Sequence, residues 1–544
     1  MSSDTRYRLA APLLLALVAL LAYANSFHVP FMFDDLTALV RNPSIRTVLP
    51  LGFWPRWLVS LSFKLNYAVH GYNVVGYHAV NLVFHIATGL LLYGIVRRTL
   101  AGPRLRVMWN TIASPLALTV AACWLVHPLQ TESVTYVCQR YESMMGMCML
   151  ATLYAFIRSV DAPSRMARRL WTDLAIVVCA LGMGTKEVIV VTPLIVWLYD
   201  VCFVGRSWMA PWRERRYTHT GLLLTLGILV MLELRQVGGA INGEAALTGS
   251  ATPWLYLATQ TEVILHYLRL SVLPRGLCLD YTWPVVAGWG EVWPAAMAVT
   301  ALGLISAWGM LRRHMLGYVG AVFFLVLAPT SSVLPVPDAA FEHRMYIPLA
   351  CVITVGVLAG YRLLAGRLRP MLLSAIAVAV VVTLAGLSLA RNHDYRSELA
   401  MWHDVASKRP GNLRARNDLA IALAERGAID EAAREFEGVL AQIPAELQAQ
   451  FARGDVQAGR FATMSLRYHY FRAHANYGRL LARTPDTLDD AIRHYVLALR
   501  VSPRHPVVEG YLRAALRDSG IEQAQIEAEM MRHILERQAG GSQR

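Results

Sequence analysis

Charge is scarce in this sequence. Asp, Glu, Lys and Arg make up 16% of 544 residues, against about a quarter in soluble proteins. Apolar residues reach 56%, and the mean hydropathy is +0.40. That balance excludes a single soluble globule and describes a chain built largely of membrane-crossing helices. Cysteine pairs are missing too. Cys123, Cys138, Cys148, Cys179, Cys202, Cys278 and Cys351 include no CxxC. Most fall in apolar runs, where a thiol behaves as a small hydrophobe. The stretch after residue 391 has no cysteine, so redox chemistry is silent about its compartment. A cleavage site is lacking as well: the apolar run Leu9 to Ala24 leads into Asn25, Phe27 and His28, with no small-x-small pattern. It reads as an uncleaved first span.

Clustered basic charge on a soluble face, the footprint of a nucleic-acid partner, is likewise absent despite a net charge of +14. The arginines flank apolar runs instead, at Arg97, Arg98, Arg104 and Arg106, at Arg165, Arg168 and Arg169, at Arg213, Arg215 and Arg216, and at Arg312, Arg313, Arg367 and Arg369. This is the positive-inside pattern, which sets topology and needs no ligand. Charge is dense only from Arg391 onward, which places a domain boundary there: 1–390 in the membrane, 391–544 soluble.

A span needs about 20 apolar residues. Candidate segments run Arg8–Ala24, Tyr77–Val96, Ile112–Val126, Met144–Ile157, Leu170–Met183, Val188–Phe203, His219–Leu234, Val292–Leu311, Gly317–Leu334, Ile347–Leu364 and Met371–Ala390. The expected architecture is all-α and polytopic, with about 11 spans of roughly this length. Trp254–Leu273 is apolar but carries Gln260, Glu262, His266 and Arg269 between prolines. Crossing there would put Arg312–Arg313 and Arg367–Arg369 outside, so the segment is assigned to the interface. With the N-terminus inside, the outward segments are Asn25–Gly76, His127–Tyr141, Gly184–Glu187, Arg235–Glu291 and Pro335–Tyr346. An odd number of spans puts the soluble region outside as well.

The outward segments hold the chemistry. Asp34 and Asp35 follow the first span, and adjacent acids so close to lipid are a functional signal unless they simply sit solvated among headgroups. His127-Pro128, Glu132 and Arg140 lie in the second segment, Lys186-Glu187 in the third, Asp280-Tyr281 in the fourth and Glu342-His343-Arg344 in the fifth. Carboxylates can take a proton from a hydroxyl, and cations can hold a phosphate. Plainer readings stay open: Lys186-Glu187 as a self-neutralising pair, Glu132 and Arg140 as a local bridge, His127-Pro128 as a helix end.

The runs FDDLTALVRNPSIR, GYHAVNLVFHIATGLLLY, HPLQTESVTYVCQRYESMMGMCML, KEVIVVTPLIVWLYDV and PTSSVLPVPDAAFEHRMYIPLA resemble, in order, the transmembrane and tetratricopeptide-repeat O-mannosyltransferases and their bacterial relatives. The resemblance covers about Phe33 to Leu349. It implies a GT-C fold and a polyprenyl-phosphate-linked sugar used on the outer side. The family's acidic pair maps onto Asp34 and Asp35, with Asp34 favoured as the base. The donor phosphate is expected near Arg140, Lys186 and Arg344, with Glu132, Glu342 and His343 as further substrate-binding groups. A divalent metal would suit adjacent carboxylates, but no complete ligand set is visible. Gly238–Gly249 matches little in the family pattern.

Two stretches, Asn412 to Pro444 and Tyr468 to Pro503, read as paired amphipathic helices closed by proline, with Ala420, Gly427, Ala432, Tyr477 and Ala491 in order. That is the tetratricopeptide pattern, and a degenerate third around Val507–Ile534 would complete a core. The expected function is a bacterial inner-membrane glycosyltransferase with periplasmic active site and repeats, acting on Ser or Thr of an exported protein. A lipid or glycan acceptor, or a non-catalytic docking protein, is the alternative. A transporter should show internal hydropathy symmetry, and none is evident.

Overall fold

In the computed structural model, the residues described are 3–49, 52–239, 252–336, 338–453, 461–521, 525 and 528. Helices dominate, and no strand occurs among these residues. Two compact units emerge. One runs to Ser397 without Asp280–Thr282; the other comprises Asp280–Thr282 and the chain from Glu398. Residues 240–249, within the stretch that matched little, and all but two of those beyond 521 in the expected third repeat lie outside the described residues.

The first unit is a bundle of α1 (Ser3–Ala22), α2 (Trp57–His70), α3 (Val74–Ala101), α4 (Ala113–Leu125), α5 (Arg140–Val160), α6 (Arg165–Gly182), α7 (Thr192–Tyr199), α8 (Arg216–Leu224), α9 (Leu226–Gly239), α10 (Pro253–Val272), α11 (Trp289–Leu311), α12 (Met315–Leu327), α13 (Pro348–Leu364) and α14 (Pro370–Asp394). Seven stretches are long and apolar enough to cross a membrane: Val74–Ala101, Arg106–Leu125, Val137–Val160, Glu187–Val204, Arg216–Arg235, Trp289–Leu311 and Pro370–Asp394. Shorter apolar helices cover Ala10–Ala22, Met315–Leu327 and Pro348–Leu364.

Their surfaces confirm the solvent. Only 11% of the most apolar window in α11 and 6% of that in α14 is buried inside the protein. Trp293, Leu304, Ile305, Trp308, Val378 and Val382 all face outward. An apolar area of that extent is unstable against water and at home in lipid. The chain is a multi-pass membrane protein. At the centre, α3 packs on α4 and α5, and α4 on α1 and α13.

The second unit consists of α15 (Glu398–Lys408), α16 (Leu413–Glu425), α17 (Ile429–Ala441), α18 (Ala445–Ala452), α19 (Phe461–Leu481), α20 (Leu488–Val501) and α21 (Pro506–Asp518). The pairs α16–α17 and α19–α20 are helical hairpins. Gly427 turns the first of them at φ +81°, a conformation that favours glycine. Fully buried Ala420, Ala432, Ala491 and Ala498 let the helices approach closely around Phe436, Tyr477 and Tyr495.

Candidate active site

Asp34 and Asp35 sit on the turn between α1 and the helical turn Leu36–Val40. That turn is anchored by Leu39 and Ile45, which pack with Val59, Phe63, Tyr77, Val137 and Met144. Phe33 adopts φ +51°, uncommon for a bulky side chain and the kind of outlier that gathers at functional sites. The two acids part company here. Asp34 is exposed and its N–H donates to the Tyr136 hydroxyl at 2.9 Å. Asp35 is 1% exposed and accepts N–H groups from Cys138 at 2.6 Å and Met32 at 3.2 Å. Burial pushes the Asp35 carboxyl well above the usual range, and the Asp34 charge adds to this; the two N–H donors and Arg140 pull the other way. The pair thus presents one carboxylate outward, not a chelating face. Among the described residues, no three His, Cys, Asp or Glu side chains are gathered to hold a metal ion.

Arg140 is fully buried. It donates to Asn81 Oδ1 at 2.6 Å, the Tyr77 carbonyl at 3.0 Å and Ser62 Oγ at 3.2 Å, and lies over the Phe63 ring. Those contacts stitch α5 to α2 and α3. It makes no bridge to Glu132.

The third segment docks on the start of α2. The Gly184 carbonyl accepts the Leu58 N–H at 2.9 Å, and a side chain at Gly184 would collide with the Trp57 indole. Lys186 and Glu187 do not neutralise each other. Lys186 Nζ pairs with Glu142 Oε1 at 2.7 Å, and both side chains are largely buried. Glu187 takes a two-pronged contact from Arg56, at 2.9 and 3.1 Å. Arg56 itself stands at φ +63°.

In the fifth segment, His343 Nδ1 lies 2.6 Å from Glu132 Oε1, and its N–H donates to Glu132 Oε2 at 3.0 Å. Burial pushes Glu132 up to about 8 and holds His343 well below the usual histidine value. Burial thus disfavours charge on both members of the pair. Glu342 accepts the Cys278 N–H at 2.5 Å. Arg344 donates to the carbonyls of Ala339 at 2.8 Å and of Asp338, and at 3.4 Å to that of Thr330. Arg344, Thr330, Glu142 and Tyr346 line a narrow cleft. The Tyr346 carbonyl accepts from Trp124 at 2.8 Å and Gln130 at 3.2 Å, fixing this segment to α4 and the turn after it.

These pieces form one cluster. Lys186 and Arg56 act electrostatically both on Cys138, beside Asp35, and on His343. Lys186 and Arg391 act on Glu132. Two further residues of the outer segments have partners of their own. His127 takes the Leu129 N–H on Nδ1 at 3.2 Å, so it caps the turn at Pro128. Asp280 goes with the second unit, where Arg414 lies 3.3 Å from its carboxylate and Asn412 donates to its carbonyl. Arg56, Glu142 and Tyr136 were not anticipated. Glu142 carried a readable signal, because an acid inside an apolar helix is costly without a partner.

Human protein O-mannosyl-transferase TMTC4 is 22% identical over 493 residues, covering 78% of this chain and 65% of the human protein. Drosophila melanogaster protein O-mannosyl-transferase Tmtc3 is 24% identical over 576 residues, 91% of this chain and 60% of the fly protein. This chain is similar to the TMTC protein O-mannosyl-transferases. The Caenorhabditis elegans relative F38B6.6 is 22% identical across 78% of the chain. The chain spans 60–65% of the length of these TMTC relatives. No family model matches it. The crystal structure of ArnT from Cupriavidus metallidurans in the apo state aligns with 89% of this chain and 82% of its own, at 17% identity and a TM-score of 0.40.

Proposed function

We propose that this protein is a membrane glycosyltransferase of GT-C type, moving a sugar from a polyprenyl-phosphate-linked donor to a Ser or Thr hydroxyl of an exported protein. What supports the reading is that the outward carboxylate of Asp34 and two cations, Arg56 of the same outer segment and Lys186 of another, all act electrostatically on Cys138. Similarity to the TMTC relatives supports the same class.

Asp34 serves as the general base, taking the acceptor hydroxyl's proton as the sugar is displaced from its phosphate. Asp35 is a positioning residue: its contacts with Met32 and Cys138 hold the turn against α5. Lys186 and Arg344 are assigned to the leaving phosphate, which would compete with the partners they now hold, Glu142 for Lys186 and the Ala339 and Asp338 carbonyls for Arg344. Arg140 has its guanidinium spent on Asn81, Tyr77 and Ser62, so its part is to hold α5 in place. Glu132, His343 and Glu342 shape the floor of the site. The active site faces the periplasm, and the hairpins after Glu398 act as tetratricopeptide-like repeats that bind the acceptor protein.

Asp34→Asn tests the reading. Removing a general base costs about 10²–10⁴ in rate, while an exposed side chain contributes little to folding. A well-folded Asp34→Asn protein that transfers sugar at the wild-type rate overturns the assignment.

A further inference from the structure

The first unit contains a second site, at the end of the bundle that the proposed reaction does not use. Between α3, α5, α7, α12 and α13 lies a half-open apolar cavity, lined by residues such as Leu92, Leu153, Tyr199, Val322 and Leu358. Phe203, Met315 and Leu358 also line a second cavity, so the two adjoin. The second has a basic rim: Arg104, Arg313, His314 and Arg362, with no Asp or Glu in its lining.

The rim is built, not merely flanking charge. Arg104 donates to the carbonyls of Cys202 at 2.6 Å and of Gly205. Arg313 donates to the Arg206 carbonyl at 2.5 Å, and its own carbonyl accepts from Cys202 Sγ. Arg313 also holds φ +53°, a left-handed backbone that the turn must enforce. Arg362 lies over the Trp109 ring at 4.7 Å and touches Met108 Sδ. Burial and the charge of Arg313 lower the Arg104 pKa, so the two cations sit close enough to repel. Cations held together by neutral carbonyls form a site that an anion would relieve.

We propose that this rim binds the phosphate head of an anionic glycerophospholipid of the inner leaflet, with an acyl chain in the adjoining apolar cavity. An anionic head meets a carboxylate-free basic rim, and an apolar chain meets an apolar cavity. The proposal does not rest on sugar transfer, because none of these residues belongs to the reaction site.

The test is lipid retention by the purified full chain in neutral detergent, read by native mass spectrometry. Phosphatidylglycerol, phosphatidylcholine, polyprenyl phosphate and inorganic phosphate are titrated separately. Phosphatidylglycerol should bind well above phosphatidylcholine. Arg362→Glu should weaken it roughly tenfold or more, reversing one charge at the rim. Val319→Trp, which fills the cavity from α12, should weaken lipid binding and leave phosphate untouched. Arg362→Gln provides a milder variant should charge reversal disturb folding, and it should give an intermediate loss. Equal retention of the two phospholipids, or no effect of Arg362 variants, overturns the proposal. So does inorganic phosphate binding as tightly as the lipid, or displacement by polyprenyl phosphate where phosphatidylglycerol fails.

Discussion

Asp35 shows how one buried acid can hold a functional turn. It satisfies two backbone N–H groups that have no water to turn to, and an unsatisfied buried donor costs about 1–3 kcal/mol. Asp35→Ala strands both and should lower the thermal midpoint of the purified protein clearly. Asp35→Asn keeps one carbonyl acceptor and should fall between wild type and Ala. A flat ranking across the two would mean that the contacts contribute nothing. The Glu132–His343 pair makes a different claim, about pH. Glu132 is held near 8 against an ordinary 4.5, so its contribution to stability is complete below 4.5 and is lost as pH rises through 8. His343 is held below its ordinary 6.5, so its penalty falls on the acid side. Of this pair, only Glu132 acts above pH 6.5. Melting temperature should drop between pH 6.5 and 9, and Glu132→Gln should flatten that slope. An unchanged slope in the variant would refute the assignment.

At the level of elements, the apolar helices of a membrane protein were legible because hydropathy is a local signal. Partner choice was not. Lys186 and Glu187 are adjacent in sequence, yet each takes its partner from another segment, Glu142 and Arg56. Arg140 reads as an outer-loop cation, but a carbonyl and two side chains on neighbouring helices absorb it. Only tertiary packing decides such pairings. Arg104 and Arg313 line one cavity and so share one end of the bundle. Between them lie Arg106–Leu125, Val137–Val160, α6, Glu187–Val204, Arg216–Arg235 and Trp289–Leu311. α6 is not among the stretches long and apolar enough to cross a membrane, so the count is even with α6 and odd without it, and labelling decides whether α10 crosses. Single cysteines introduced into a cysteine-free chain give the check. A site beside Asp338 should react with an impermeant label from outside, and one beside Arg312 should not. The reverse pattern would dissolve the one-sided cluster.

In the proposed whole molecule, the bundle performs the chemistry and the hairpins hold the acceptor. Deleting 412–544 removes no residue assigned to the reaction. Transfer to a short peptide should therefore persist, while transfer to a full-length acceptor protein falls, since a linked binding site raises the acceptor's effective concentration. Equal loss of both activities in a folded truncation would show that the hairpins complete the active site. The most direct measurement is donor turnover. Wild type, Asp34→Asn and the truncation are compared at matched levels in membranes carrying a labelled polyprenyl-phosphate sugar. Wild type and truncation should consume the donor, and Asp34→Asn should not. Consumption by Asp34→Asn at the wild-type rate, or by none of the three, would contradict the central claim.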